Sequence, residues 1–151
     1  MDIISSQFKN REIIPAKYSC DGEDVNPPLS FVNVPDDAES LALIMEDPDA
    51  QGGAWVHWTI WNITPEIAEL NENEIPPGAV EGLNSSGSNG YEGPCPPTGT
   101  HRYIFKLYAL DSTLTLSEDA DRDALEEAME RHIIEKAELI GLYTSPEIET
   151  L

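Results

Sequence analysis

The apolar run Ser40-Leu41-Ala42-Leu43-Ile44-Met45-Glu46 is cut off by Asp47-Pro48-Asp49. A short apolar run ended by such a turn signal reads as a buried strand. The next segment, Val56-His57-Trp58-Thr59-Ile60-Trp61-Asn62-Ile63, is rich in aromatic and β-branched residues and stops before Pro65, so it reads as a second strand. Tyr103 to Leu110 gives a third. Ile75 to Gly93, between the second and third, is dense in Gly, Asn, Ser and Pro. A loop that long inside a compact domain is usually functional.

The last third of the chain changes period. Leu125, Ala128, Met129, His132 and Ile133 recur at i, i+3, i+4, i+7 and i+8, which predicts one face of a helix. Asp119, Asp121 and Asp123 crowd its start, where the helix dipole favours negative charge. Glu127 and Arg131 are expected to pair on its surface. Ile134 to Ile140 predicts a second short helix, capped by Gly141. Strands first and helices afterwards make a mostly β domain, α+β at the margin. One domain over residues 1–151 is expected, with neither repeat nor linker.

Charge narrows the function. Asp and Glu number 29 against 8 Lys and Arg, a net charge of −21 and a pI near 4.1. Such a surface repels nucleic-acid phosphates and anionic lipid surfaces, so neither is an expected partner. Hydrophobic residues at 40% and charged residues at 25% are ordinary globular proportions. The N-terminus lacks a basic stretch followed by an apolar run, and no segment reaches the roughly 20 apolar residues that span a bilayer. A cytoplasmic protein without membrane insertion is expected. There Cys20 and Cys95, which form no CxxC motif, are expected to be free thiols.

The candidate site residues cluster around the strand ends. Asp47-Pro48-Asp49 alone is a turn, and a D-x-D pair lacks the further oxygens a divalent cation needs. His57 follows within ten residues. By strict alternation Trp55, His57, Thr59 and Trp61 share one strand face, and Val56, Trp58, Ile60 and Asn62 the other. On the third strand His101 and Tyr103 share a face, while Arg102 points the other way toward a structural ion pair. His132, on the apolar helical face, reads as a satisfied core or edge histidine. Gly93-Pro94-Cys95-Pro96-Pro97-Thr98-Gly99 is neither strand nor helix; its prolines remove the donors a P-loop needs. Ser85 to Gly90 is either a mobile lid or a solvated loop. No nucleophile elbow, HExxH or GxGxxG occurs.

Three further blocks carry a resemblance. Ser19-Cys20-Asp21-Gly22-Glu23-Asp24-Val25-Asn26-Pro27-Pro28-Leu29-Ser30, Gly53 to Ile63, and His132 to Tyr143 join the Asp47 and Gly93–Tyr103 segments in order along the chain. Together they resemble the phosphatidylethanolamine-binding protein family, in its prokaryotic Raf kinase inhibitor-like branch. Departures are few: Gln51 stands where that branch often has Pro or Gly, and Phe31 where Trp is common. The resemblance implies two antiparallel sheets in Greek-key order with peripheral C-terminal helices. It also implies a pocket for phosphate-like anions or phospholipid head groups, lined by Asp47, Trp55, His57, His101 and Tyr103 and rimmed by Asp49, Gly93, Pro94 and Pro96. Homodimers are common in that branch, so a homodimer is expected.

The chemistry of such a pocket is simple. Cationic His57 and His101 would donate to anion oxygens, with the Tyr103 hydroxyl beside them. Asp47 would hold the second ring nitrogen of a histidine and favour its charged form. The net charge opposes anion entry, so binding should improve with salt and fall above neutral pH. A non-enzymatic binding protein without cofactor or metal is the leading expectation, with a protein partner of unknown kind. The alternative is a metal-assisted or acid/base phosphoester hydrolase using Asp47, Asp49, His57 and His101.

Overall fold

The computed structural model describes residues 1–146; residues 147–151, the end of the domain expected over 1–151, lie outside the described residues. In chain order the strands are β1 (Asp2–Ile4), β2 (Glu12–Ile13), β3 (Leu29–Val32), β4 (Ser40–Asp47), β5 (Trp55–Ile63), β6 (Glu69–Leu70), β7 (Val80–Glu81), β8 (Thr100–Leu110) and β9 (Ile133–Thr144). A 3₁₀ turn covers Ala16–Tyr18, and one α-helix, α1 (Arg122–Met129), precedes β9. The order β1-β3-β6 forms a small sheet, and β2-β9-β8-β4-β5-β7 a large one. Within the large sheet β4, β5 and β7 lie side by side and β8 returns to flank β4. That is the 4-1-2-3 order of a Greek key. The pairing is antiparallel except between β2 and β9, which run parallel.

Both faces of the large sheet are covered. Leu43, Met45, Trp58, Ile60, Phe105 and Leu107 pack on the face toward the small sheet, against Ile3, Leu29 and Phe31. This face is called the front. At the back, Ala42, Ile44, Trp61 and Leu110 pack against Leu114 and against Leu125 and Met129 of α1. Strand β4 is therefore buried along its whole length, which is why it carries an unbroken apolar run instead of an alternating one.

The helical reading of the C-terminus holds only in part. Asp121 caps α1 by accepting the Ala124 N–H at 3.0 Å, but the helix ends at Met129 and no Glu127–Arg131 pair forms among the described residues. His132 lies beyond the helix and pairs with Asp111 at 2.7 Å, an edge histidine. The expected second helix is instead strand β9, paired with β8 from Ile133 to Thr144. Leu139, Gly141 and Tyr143 are buried at period two, and a helix there would leave the edge of β8 without partners. Gly141, expected as a helix cap, is a close-approach residue: a Cβ would run into the Ile14 side chain. One helix, placed before the last strand, replaces the expected pair of C-terminal helices.

The thiols also depart from expectation. Cys20 and Cys95 form a disulfide with their Cα atoms 5.5 Å apart. Sequence distance concealed this, because the fold brings the two loops together. The bond bears on the expected cytoplasmic location, since reducing compartments keep most thiols open. No helix among the described residues is long and apolar enough to cross a membrane.

Candidate functional site

Two departures from ideal strand geometry build the site. In the β4–β5 ladder Met45 opposes Trp58 and Glu46 opposes Val56, so His57 is the extra residue of a bulge. The bulge reverses the parity of the strand. Trp55, opposite Asp47, and His57 both reach the front-side hollow, while Val56 lies behind, opposite Glu46. Trp58 and Ile60 stay in the front core and Trp61 in the back core. The expected single face of Trp55, His57, Thr59 and Trp61 is thus split, because alternation does not survive a bulge.

The hollow encloses about 240 Å³ at the ends of β4, β5 and β8. Asp47, Trp55, His57, His101 and Tyr103 line it as expected, with Gly93 and Pro96 on one wall. Two expected rim residues do not line it. The Asp49 carboxylate turns to Arg102, accepting its backbone N–H at 2.9 Å and its guanidinium at 2.8 Å and 3.0 Å. That guanidinium holds the Asp49 carboxyl down to about 2. Pro94 gives its carbonyl to the Cys20 N–H at 3.1 Å. Ala50, Gln51, Glu92, Cys95 and Pro97 complete the lining. Sequence reasoning missed them as pocket residues, Glu92 because it acts through its carbonyl, a group every residue has.

The polar groups are held in a definite order. His101 Nδ1–H donates to Asp47 Oδ2 at 2.6 Å, and Asp47 Oδ1 accepts the Asp49 N–H at 2.8 Å. His57 Nδ1–H donates to the Glu92 carbonyl at 2.7 Å. Burial lowers the His57 pKa, outweighing the Glu92 and Gly93 carbonyls and the Asp47 charge, which pull the other way. Burial thus disfavours the charged form of His57, against the expectation of two cationic rings. Tyr103 meets His57 edge-on at 5.2 Å and stacks near His101 at 6.5 Å. The Tyr103 hydroxyl is buried and makes no hydrogen bond of ordinary geometry; burial raises its pKa well above the ordinary phenol value, against the nearby Cys95 backbone N–H, which lowers it. Trp55 stands at the mouth, 41% exposed.

The wall is fastened to the N-terminal block. Besides the disulfide, the Tyr91 hydroxyl donates to the Tyr18 carbonyl at 2.6 Å, and the Gly93 N–H donates to Asp24 Oδ1 at 2.7 Å. Gly93 is required there because a Cβ would strike the Tyr18 carbonyl. The turn over Ser85 to Gly90 is pinned: Asn84 Oδ1 accepts the Ser86 and Ser88 N–H groups, and the Ser85 hydroxyl accepts the Val56 N–H.

A second hollow of about 330 Å³ lies behind β5, beside Asn84, Ser85 and Arg122. It is the larger, but its charges are neutralised: Arg122 bonds to Glu46 at 2.8 Å and Asp121 caps α1. Among the described residues no group of three or more His, Cys, Asp or Glu is arranged to hold a metal. Of the four residues named for the hydrolase alternative, Asp47, His57 and His101 line the hollow, while the Asp49 carboxylate is paired with Arg102.

A two-sheet Greek-key fold with a buried histidine-aspartate-tyrosine hollow at one sheet end defines the class. The family model for phosphatidylethanolamine-binding protein matches residues 4–144, and the chain belongs to that family. A UPF0098 protein of Methanothermobacter thermautotrophicus is 50% identical, covering 95% of this chain and 98% of its own. A UPF0098 protein of Chlamydia pneumoniae is 51% identical with the same coverage. Among solved structures, a phosphatidylethanolamine-binding protein homolog from Chlamydia trachomatis superposes with a TM-score of 0.92 at 45% identity, covering 96% of this chain and 97% of that one. Escherichia coli YbcL, described as a new member of the mammalian family, gives 0.90 at 28% identity, covering 96% and 98%. None of these names denotes an enzyme.

Proposed function

We propose that this protein binds a small oxyanion, free or as part of a larger phosphorylated molecule, in the hollow between Asp47, His57, His101 and Tyr103. The observation that carries this reading is the Tyr103 hydroxyl. A fully buried O–H without a partner costs about 1–3 kcal/mol, a cost that a ligand oxygen removes. His101 supports it, because Asp47 holds its Nδ1–H and its other nitrogen has no protein partner among the described residues. Trp55 and Pro96 at the edge suit the apolar remainder of a phosphorylated compound. The family name supports a head-group ligand of this chemistry. A net charge of −21 keeps affinity low and makes it rise with screening salt.

Titration of inorganic phosphate against the histidine ring NMR signals near pH 6 tests the reading. The His57 and His101 signals should move while His132, held by Asp111 outside the hollow, stays in place. Unmoved His57 and His101 signals at high phosphate would refute it.

A further inference from the structure

An oxyanion without a proton needs hydrogen-bond donors on every side. This hollow also offers an acceptor. The Glu92 carbonyl has only lone pairs, so His57 Nδ1, 2.7 Å away, carries the hydrogen. The other nitrogen, Nε2, has no protein partner among the described residues. With His57 only 5% exposed, burial disfavours its charged form. The groups around it are the Glu92 and Gly93 carbonyls, the Tyr103 ring, His101 and the carboxylates of Asp47 and Glu92. Neither carboxylate is bonded to it. Asp47 is engaged by His101 and the Asp49 N–H, and Glu92 accepts the Ser86 hydroxyl at 2.5 Å. A neutral ring with its hydrogen on Nδ1 presents a lone pair at Nε2. The Tyr103 ring stands edge-on beside it, and its hydroxyl is a donor.

We infer that the hollow selects an oxyanion that still carries an O–H, such as inorganic phosphate or a phosphomonoester in its singly protonated form. That O–H is donated to His57 Nε2, and a bare oxygen is taken by the Tyr103 hydroxyl. The inference rests on the anion-binding reading above and divides the ligands that reading allows. A phosphodiester, as in an intact phospholipid, has no O–H to give, and sulfate has none near neutral pH. Either would set a lone pair against the lone pair of His57, a mismatch of roughly tenfold or more in affinity.

Four ligands resolve the matter on the full chain: inorganic phosphate, methyl phosphate, dimethyl phosphate and sulfate. They are titrated at constant ionic strength near pH 6, where about half of a phosphomonoester still carries an O–H. Dimethyl phosphate matches the charge of the monoanions, and sulfate matches the size of phosphate. Phosphate and methyl phosphate should bind at least roughly tenfold tighter than the other two, and the unprotonated His57 Nε2 resonance should shift as it gains a hydrogen bond. Sulfate or dimethyl phosphate binding as tightly as phosphate overturns the inference and leaves the anion reading standing. A His57 ring found doubly protonated in the free protein overturns it as well. Failure of all four to bind or to shift either ring overturns the anion reading and this inference with it.

Discussion

Glu46 and Asp47 are consecutive carboxylates at the end of β4, yet they lead different lives. Glu46 points back, where Lys106 and Arg122 both reach it. Burial alone would raise its pKa, but the two cations prevail and hold it below the ordinary glutamate value. Asp47 points forward, where its partner is a histidine whose second nitrogen remains free for a ligand. One carboxylate is neutralised and closes its side of the sheet; the other orients a ring toward an open hollow. The same contrast separates the two hollows. The larger one behind β5 has its charges satisfied, and the smaller one in front keeps an unpartnered Tyr103 hydroxyl. Unmet hydrogen-bonding capacity, more than volume, marks a binding site.

The sharpest way to test that division is to loosen the front wall. Replacing Cys20 and Cys95 by Ser removes a cross-link spanning 75 positions and should lower stability by about 4 kcal/mol in chemical denaturation. Phosphate affinity should fall with it, because Cys95 lines the hollow. Unchanged phosphate binding would show that the wall holds without its clamp.

Next comes Glu46→Gln, which leaves Lys106 and Arg122 without their carboxylate. Stability should drop by about 2 kcal/mol near neutral pH, while phosphate titration stays unchanged. The sign with pH follows from the lowered pKa. The Glu46 contribution is present above the unfolded glutamate value of about 4.3 and is lost as pH falls below it. The variant should therefore show a smaller acid-side loss than the wild type. A large change in phosphate affinity would break the separation of the two faces.

Tyr103→Phe should have the smallest effect on stability and the opposite sign. Removing an unpartnered buried hydroxyl leaves stability unchanged or raises it by up to about 1 kcal/mol, while phosphate binding weakens several-fold. A destabilised variant with intact phosphate binding would mean the hydroxyl serves the fold.

The parts of the fold legible in the sequence were those set by local pattern. The apolar run of β4 and the aromatic run of β5 lie where composition put them, and β8 begins a few residues earlier than read. Arg102 turned away from the histidine face as alternation required and formed its ion pair with Asp49. The C-terminal segment misled because Ile133 to Tyr143 satisfies both helical and strand periods over a short window. Pairing with β8 chose between them. Glu92 was invisible because its contribution is a backbone carbonyl.

The sequence by itself determined which side chains were available to a site: two imidazoles, a carboxylate, a phenol and a stiff Gly/Pro wall, on strands whose apolar content guaranteed burial. Tertiary structure alone decided their states. The bulge at His57 put it beside Tyr103, the Glu92 carbonyl chose its tautomer, burial disfavoured its charged form, and a disulfide locked the wall. These outcomes depend on which groups from distant segments end within a few ångströms of one another, and on how much water is left between them. Neither quantity is encoded in any local stretch of chain.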